Sequence, residues 1–512
     1  MELLLDKKKC EYMKASASGS ALAEASTEII VSDRSPDIVR IVRGSGNVFL
    51  TDKEARDGKV CVTGNVKGVV LYLAEGERCV RKIDVSIPIF HIFDDDGVTS
   101  DSKLKIHANL RSFDVREVNP RKVYVRASID ISYRAYEREE RVLCCGVKDA
   151  EEYGVCTRYR EVSGYDPIIM KTKKFSVSDD IELTGDGMEM SSVLVGDVAL
   201  ILNETKIIGN KSIVKGTAEV SYVYETESGA INSDVCEIPF SQIIDVDGMD
   251  EGHDLDVEIS VTGFEFDPQY DAGGKARYMT VSATAEVDAT VYESFAARVV
   301  DDVYSTTYEI DVKQNALTNT KCINRDKKRV PVTESIKTES GVKSVLDVAV
   351  DVFPPIKRRE EEREVISSDV QLAVMYIGND DAVYGTSRRI SVLCPVEVSE
   401  NHTYETTAIV RSKGCSTGVE NEINVRFFVD FDVTETENVP VFTIAEISAD
   451  KEKVRLGERR PSVVIKRVER ECDVWNLAKE HATSVEEICV ANNISDSERV
   501  SVGRMILIPR HS

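Results

Sequence analysis

Most of this chain alternates between apolar and polar side chains with a period of two. From Val123 it reads VYVRASIDISY, which places Val123, Val125, Ala127, Ile129, Ile131 and Tyr133 on one face. From Met279, MTVSATAEVDATV does the same with Met279, Val281, Ala283, Ala285, Val287, Ala289 and Val291. From Ile423, INVRFFVDFDV aligns Ile423, Val425, Phe427, Val429, Phe431 and Val433. Such runs predict half-buried antiparallel strands, long by ordinary standards.

The three runs lie roughly 150 residues apart, which points to an internal repeat. Upstream of the first two, a strand–turn–strand segment carries a Gly before a Tyr (Gly64 and Tyr72; Gly216 and Tyr224) and then a Pro between apolar residues (Pro88; Pro239). A third, looser copy has Tyr376 and Pro395 but no matching Gly. An alternating strand needs a facing sheet for its apolar side, so each copy predicts a sandwich. The expected fold class is mainly β: three repeated antiparallel β-sandwich-like domains at 1–160, 161–320 and 321–446. A charged linker at 447–461 then leads to a small βααβ module at 462–510.

The helical exception begins at Asp473 with DVWNLAKEHATSVEEICVANN. Val474, Leu477 and Ala478 share one helical face. Ser484 and Glu487 form a capping box that opens a second helix, with Val485, Ile488 and Cys489 as its buried stripe. Ile506 and Ile508 alternate inward from a last strand. In VVIKRV, inward-facing Val464 and Val468 leave Val463 and Ile465 facing outward. Those two either meet a protein partner or pack on the preceding β-domain. Trp475, the single tryptophan, is either a core residue or a partner anchor.

Composition narrows the function. The chain has 512 residues, 90 acids and 65 bases, for a net charge of −25; phosphate backbones would be repelled, so nucleic acid is not an expected partner. No apolar run approaches the ~18 residues a membrane span needs, and MELLLDKKKCEYMK does not read as a secretory leader. The 12 cysteines are scattered without C-x-x-C spacing, so they read as reduced thiols rather than zinc ligands or redox pairs. The histidines fall in no H-E-x-x-H, and neither a nucleophile elbow nor a phosphate-binding loop occurs. The acidic run Phe93–Gly97 lacks calcium-loop spacing and reads as a turn; Arg359–Glu364 reads as a solvated connector. No catalytic, cofactor or metal site is expected, and the protein reads as a binding or scaffolding chain.

Over VWNLA (474–478), SVEEI (484–488), ANNI (491–494) and VGRMILIP (502–509), the C-terminal module resembles a LysM domain. That resemblance implies N-acetylglucosamine-containing glycans as ligands, held by the loop after the first strand and the loop after the second helix. The first loop here reads Glu471, Cys472, Asp473 where the family commonly carries Gly-Asp-Thr/Ser, and Lys466 replaces an aromatic. The substituted Gly loses backbone freedom and close approach, which weakens the expectation of glycan binding. Three β repeats followed by a LysM module resemble the SipL-like clostridial spore-coat morphogenetic proteins, whose repeats are called SPOCS domains. The resemblance implies a protein of the mother-cell cytoplasm acting at the forespore surface, which binds the coat basement-layer ATPase SpoIVA and helps encase the spore. The expected partner-binding residues are Val463, Ile465, Asp473, Val474, Trp475, Asn492, Asn493 and Ile494. A cell-wall protein that binds peptidoglycan is the alternative.

Overall fold

The computed structural model describes residues 1–75, 80–183, 189–246, 248–249, 252–270, 276–361, 363–418, 421–454, 462–496 and 499–509. The first unit comprises β1 (Leu5–Ile30), β2 (Ile38–Arg56), β3 (Lys59–Ala74), β4 (Val80–Asp94), β5 (Lys103–Asn119) and β6 (Lys122–Val147). The second comprises β7 (Val155–Glu182), β8 (Met190–Ile208), β9 (Lys211–Thr226), β10 (Ile231–Asp245), β11 (Asp254–Tyr270) and β12 (Ala276–Ser305). The third comprises β13 (Tyr308–Lys337), β14 (Val342–Val352), β15 (Ile356–Glu360), β16 (Arg363–Gly378), β17 (Val383–Leu393), β18 (Thr403–Thr417) and β19 (Glu422–Val454).

One strand order recurs. A long antiparallel ribbon with a third strand at its side appears as β1-β6-β5, β7-β12-β11 and β13-β19-β18. A smaller set of strands faces it: β2-β3-β4, β8-β9-β10, and β16 flanked by β17 on one edge and by β14 and β15 on the other; in the second unit β8 joins the ribbon at one pair, Met190 with Ala276, so its six strands form one sheet. In the third unit the edge strand is broken at Phe353, Pro354 and Pro355, since proline cannot donate to a ladder. The alternating faces read from the sequence form the cores. Val123 through Tyr133, Met279 through Val291 and Ile423 through Val433 all turn their apolar positions inward.

The chain passes between units at 148–154 and at 306–307, so residues 155–160 and 308–320 lie in β7 and β13, past boundaries expected at 160 and 320. Residues 447–454, expected as linker, continue β19; 455–461 lie outside the described residues. Of the run expected as a solvated connector at 359–364, Arg359 and Glu360 end β15 and Arg363 and Glu364 open β16, with Glu360 opposite Arg363; 362 lies outside the described residues. The acidic run at 93–97 closes a turn, as expected: Asp95 accepts from Tyr133 Oη at 2.7 Å and from Gly97 N at 2.9 Å.

The glycine of the first two copies has a structural cause. A Cβ on Gly64 would come within 2.6 Å of Phe49 O, and one on Gly216 within 2.5 Å of Ile201 O. Both lie opposite a bulge in the neighbouring strand, at Leu50/Asp52 and Leu202/Glu204. At the corresponding place in the third unit stands Ser368, whose hydroxyl donates to Phe353 O. The side chain that is excluded by a carbonyl in two units hydrogen-bonds that carbonyl in the third. The units also meet one another through equivalent residues: Val42, Leu194 and Leu346, with Leu71, Val223 and Met375, form one buried cluster drawn from all three smaller sheets.

After the third unit come β20 (Val463–Arg467), β21 (Cys472–Asp473), α1 (Val474–His481), α2 (Val485–Asn492), β22 (Arg499–Val500) and β23 (Met505–Pro509). β20 pairs with β23 and β21 with β22, which gives the expected βααβ order with a short second ladder added.

Candidate functional site

The C-terminal module is built as its sequence requires. Asp473 caps α1, accepting from Asn476 N at 2.8 Å. Ser484 caps α2 with both bonds of the capping box formed. Val468, Val474, Leu477, Ala478, Ile488, Ile494, Val500, Ile506 and Ile508 make a buried core. Lys466, where the LysM pattern has an aromatic, extends along the surface to Glu480 at 2.6 Å.

That core does not end with the module. Tyr304, at the end of β12, belongs to the same cluster, and its hydroxyl donates to Thr483 O at 2.7 Å. Trp475 packs edge-on against Tyr304, with ring centroids 4.9 Å apart. Its indole N–H donates to Asp302 Oδ2 at 2.8 Å, while Lys479 Nζ reaches Asp302 Oδ1 at 2.6 Å. Arg158 of β7 lies over the Trp475 ring, pairs with Asp301 at 2.9 Å, and approaches Asp473 at 3.5 Å. Burial pushes the Asp302 carboxyl up, but the hydrogen bonds from Lys479 and Trp475 outweigh it and hold the group below its ordinary value. The module is therefore clamped to the second unit by a carboxylate with two donors and an aromatic pair.

The clamp corrects several expectations. Val474 and Ile494, expected at a partner surface, are 0% and 9% exposed and belong to the module's core; their side chains cannot reach a partner in this fold. Trp475, one of the expected anchors, faces Asp302 and Tyr304 of the same chain. Asp473 is engaged as a helix cap and by Arg158. Asn492 is committed internally: its amide donates to Leu507 O at 2.6 Å and to Ile488 O at 2.7 Å, and accepts from Leu507 N at 2.7 Å. Asn493 is exposed, holding the left-handed cap of α2 at φ 50°.

The strand residues stand where the alternation put them. Val463 is 52% and Ile465 60% exposed, on the face turned away from the helices. The sequence reading missed the other half of this surface: Met505 and Leu507, at 58% and 39% exposure, come alongside from β23, Leu507 directly opposite Ile465. The alternation in MILIP carried that signal once Ile506 and Ile508 were taken as inward. Arg467 continues the face, exposed and without an ion-pair partner among the described residues. Four apolar side chains on one small sheet, ending in a free guanidinium, form a surface suited to a protein rather than to water. Asp302, Tyr304 and Arg158 were also missed, because nothing in the local sequence says which β strand the module will meet.

Elsewhere, several concavities lie between units and one lies within the third, against Asn324, Lys328, Tyr404 and Glu435. One of those between units, of about 480 Å³, is bordered by Arg43, Asp197, Asp347, Asp351 and Lys413. Asp351 remains solvent-accessible within this concavity; desolvation by the surrounding walls, reinforced by Asp197, pushes its carboxyl up to about 6. Among the described residues, no helix is long and apolar enough to cross a membrane.

Comparison with known families agrees with the sequence at two levels. Residues 37–118 and 189–269 each match the family described as SipL, SPOCS domain. Each match begins at or near the first strand of the smaller sheet, runs through its three strands and ends on the strand that flanks the ribbon, β5 or β11. Residues 473–509 match the LysM domain. No curated protein and no solved structure matches the chain. The SPOCS matches carry a role connected with the sporulation coat, and the LysM match carries a role in binding.

Proposed function

We propose that this chain is a non-catalytic scaffold of spore-coat assembly, and that its LysM module docks the coat basement-layer ATPase SpoIVA at the forespore surface, on the mother-cell side. In this reading the third β unit is a further SPOCS-like copy. Its strand order and the equivalence of Ser368 with Gly64 and Gly216 support that assignment. The observation that carries the docking is the outward sheet face of Val463, Ile465, Met505 and Leu507, left uncovered while the opposite side of the module is clamped to β12. Trp475 contributes as a positioning residue, fixing how that face is presented. The three β units act as a rigid body that holds the docking face at a set place and raises its local concentration at the coat.

The test is capture of SpoIVA by the full chain carrying Val463→Arg or Leu507→Glu. Both substitutions are on the solvent side of the sheet, so the module stays folded, as checked by Trp475 emission. The expected result is at least a tenfold loss of capture for each. Capture equal to that of the parent chain would reject the docking face. Retention of the chain on peptidoglycan, with SpoIVA ignored, would instead establish wall-glycan binding, the activity that the LysM match by itself favours.

A further inference from the structure

The two edges of the module's sheet differ. Leu507 N and O both bond the side-chain amide of Asn492, at 2.7 and 2.6 Å, so its backbone points away from β20. The pair Ile465↔Leu507 is then a non-hydrogen-bonded pair of the antiparallel ladder, and Ile465 N–H and C=O point away from β23. The parity holds three residues on, in the opposite phase: Val468 N donates to Arg504 O at 3.0 Å and Gly503 N to Val468 O at 2.8 Å, which puts Val464, Lys466 and Val468 on the inward ladder. Val463, Ile465 and Arg467 therefore direct their backbone groups outward. No described residue bonds them.

The β23 edge is more nearly closed. Asn492 occupies both Leu507 groups, and Pro509 has no N–H. That leaves Met505 as the outward N–H of β23 that no described residue bonds, whereas the β20 edge offers the outward groups of three alternate residues, Val463, Ile465 and Arg467; beside them stand the exposed Val463 and Ile465 side chains and the Arg467 guanidinium, which has no ion-pair partner among the described residues. This is notable in a chain with a net charge of −25.

We infer that β20 is a strand-addition site, and that its occupant is an extended protein segment with apolar side chains at alternate positions facing Val463 and Ile465 and an acidic side chain beside Arg467. Backbone bonds to Ile465 supply the affinity, and the alternating side chains and the carboxylate supply the register. A helix laid on the same face would use the side chains and leave the Ile465 amide open. The inference rests on the docking reading above and specifies how the partner binds.

Two measurements on the full chain with SpoIVA as the probe test it. The first compares Ile465→Ala, which keeps the amide, with Ile465→Pro, which removes an N–H that the β23 ladder does not use; proline is tolerated on such an edge. Ile465→Pro is expected to weaken capture at least tenfold more than Ile465→Ala. The second, independent of any variant, is amide hydrogen exchange of the parent chain: Ile465 and Arg467 exchange rapidly when free and become protected on binding. Strand addition is overturned if Ile465 stays unprotected in the complex. It is also overturned if Ile465→Pro and Ile465→Ala capture equally while Val463→Arg does not; the docking face itself survives both results. If the parent chain does not capture SpoIVA, both readings fall together.

Discussion

Asp302 is the residue on which the position of the C-terminal module turns. Its two oxygens are divided between Trp475 and Lys479, and each charge-assisted bond of this kind is worth about 1.5–3 kcal/mol. Asp302→Ala is expected to release the indole while leaving the module's own core intact. Trp475 is the only tryptophan, so acrylamide quenching reads the event directly: quenching rises and emission moves to longer wavelength. The same bond gives a pH dependence. The docked carboxyl lies below its ordinary value of 3.8, so its contribution is complete above that value and is lost as pH falls through the lower, docked one. The parent chain is expected to show a quenching step below about pH 4, and Asp302→Ala to lack it. A step of equal size in both would mean that some other group holds the module.

Among the elements, the central strand of each smaller sheet (β3, β9 and β16) shows how one backbone shape accepts two chemistries. At Gly64 and Gly216 the bulged neighbour brings a carbonyl against the Cα, so Gly216→Ala forces β8 and β9 apart at a place where Phe240 also closes in, at 2.3 Å. Overpacking of this kind costs about 1–3 kcal/mol. Ser368 uses the same proximity to bond Phe353 O, and Ser368→Gly removes that bond, about 0.5–1.5 kcal/mol, together with a longer one to Asp369 O at 3.3 Å. Chemical denaturation is expected to rank Gly216→Ala as the more damaging of the two. The reverse order would deny that the two sites share a backbone arrangement.

For the whole molecule, the join between units is not uniformly apolar. The cluster around Val42, Leu194 and Leu346 gives way to a cavity where Asp351 and Asp197 lie near one another with Arg43 and Lys413. A carboxyl raised to about 6 is costly to ionise in place. That cost is absent below the unfolded value of 3.8, grows as pH rises to about 6, and is full at neutral pH. Asp351→Asn is therefore expected to raise the thermal midpoint at pH 7–8, with a gain that shrinks toward pH 4. A gain that persisted at pH 4 would point to packing rather than charge.

What the sequence determined by itself was everything carried by a local period. The inward faces of β6, β12 and β19, the two helices with the capping box at Ser484, and the outward set of Val463 and Ile465 all follow from which side chains share a face, and backbone geometry fixes that over a few residues. The two SPOCS-type segments and the LysM segment were legible for the same reason: each is a contiguous stretch with its own pattern. Only the tertiary structure decided what Trp475 faces, because an amphipathic tryptophan suits a core, an anchor or a domain contact equally well until a neighbour is supplied. Asp302 and Tyr304 supply it from a strand some 170 residues earlier in the chain. The tertiary structure likewise decided that Val474 and Ile494 are buried, that Asn492 occupies Leu507 on one sheet edge and that β20 leaves the other open. Those are statements about which groups are left without partners, and they become defined only when every other part of the molecule is in place.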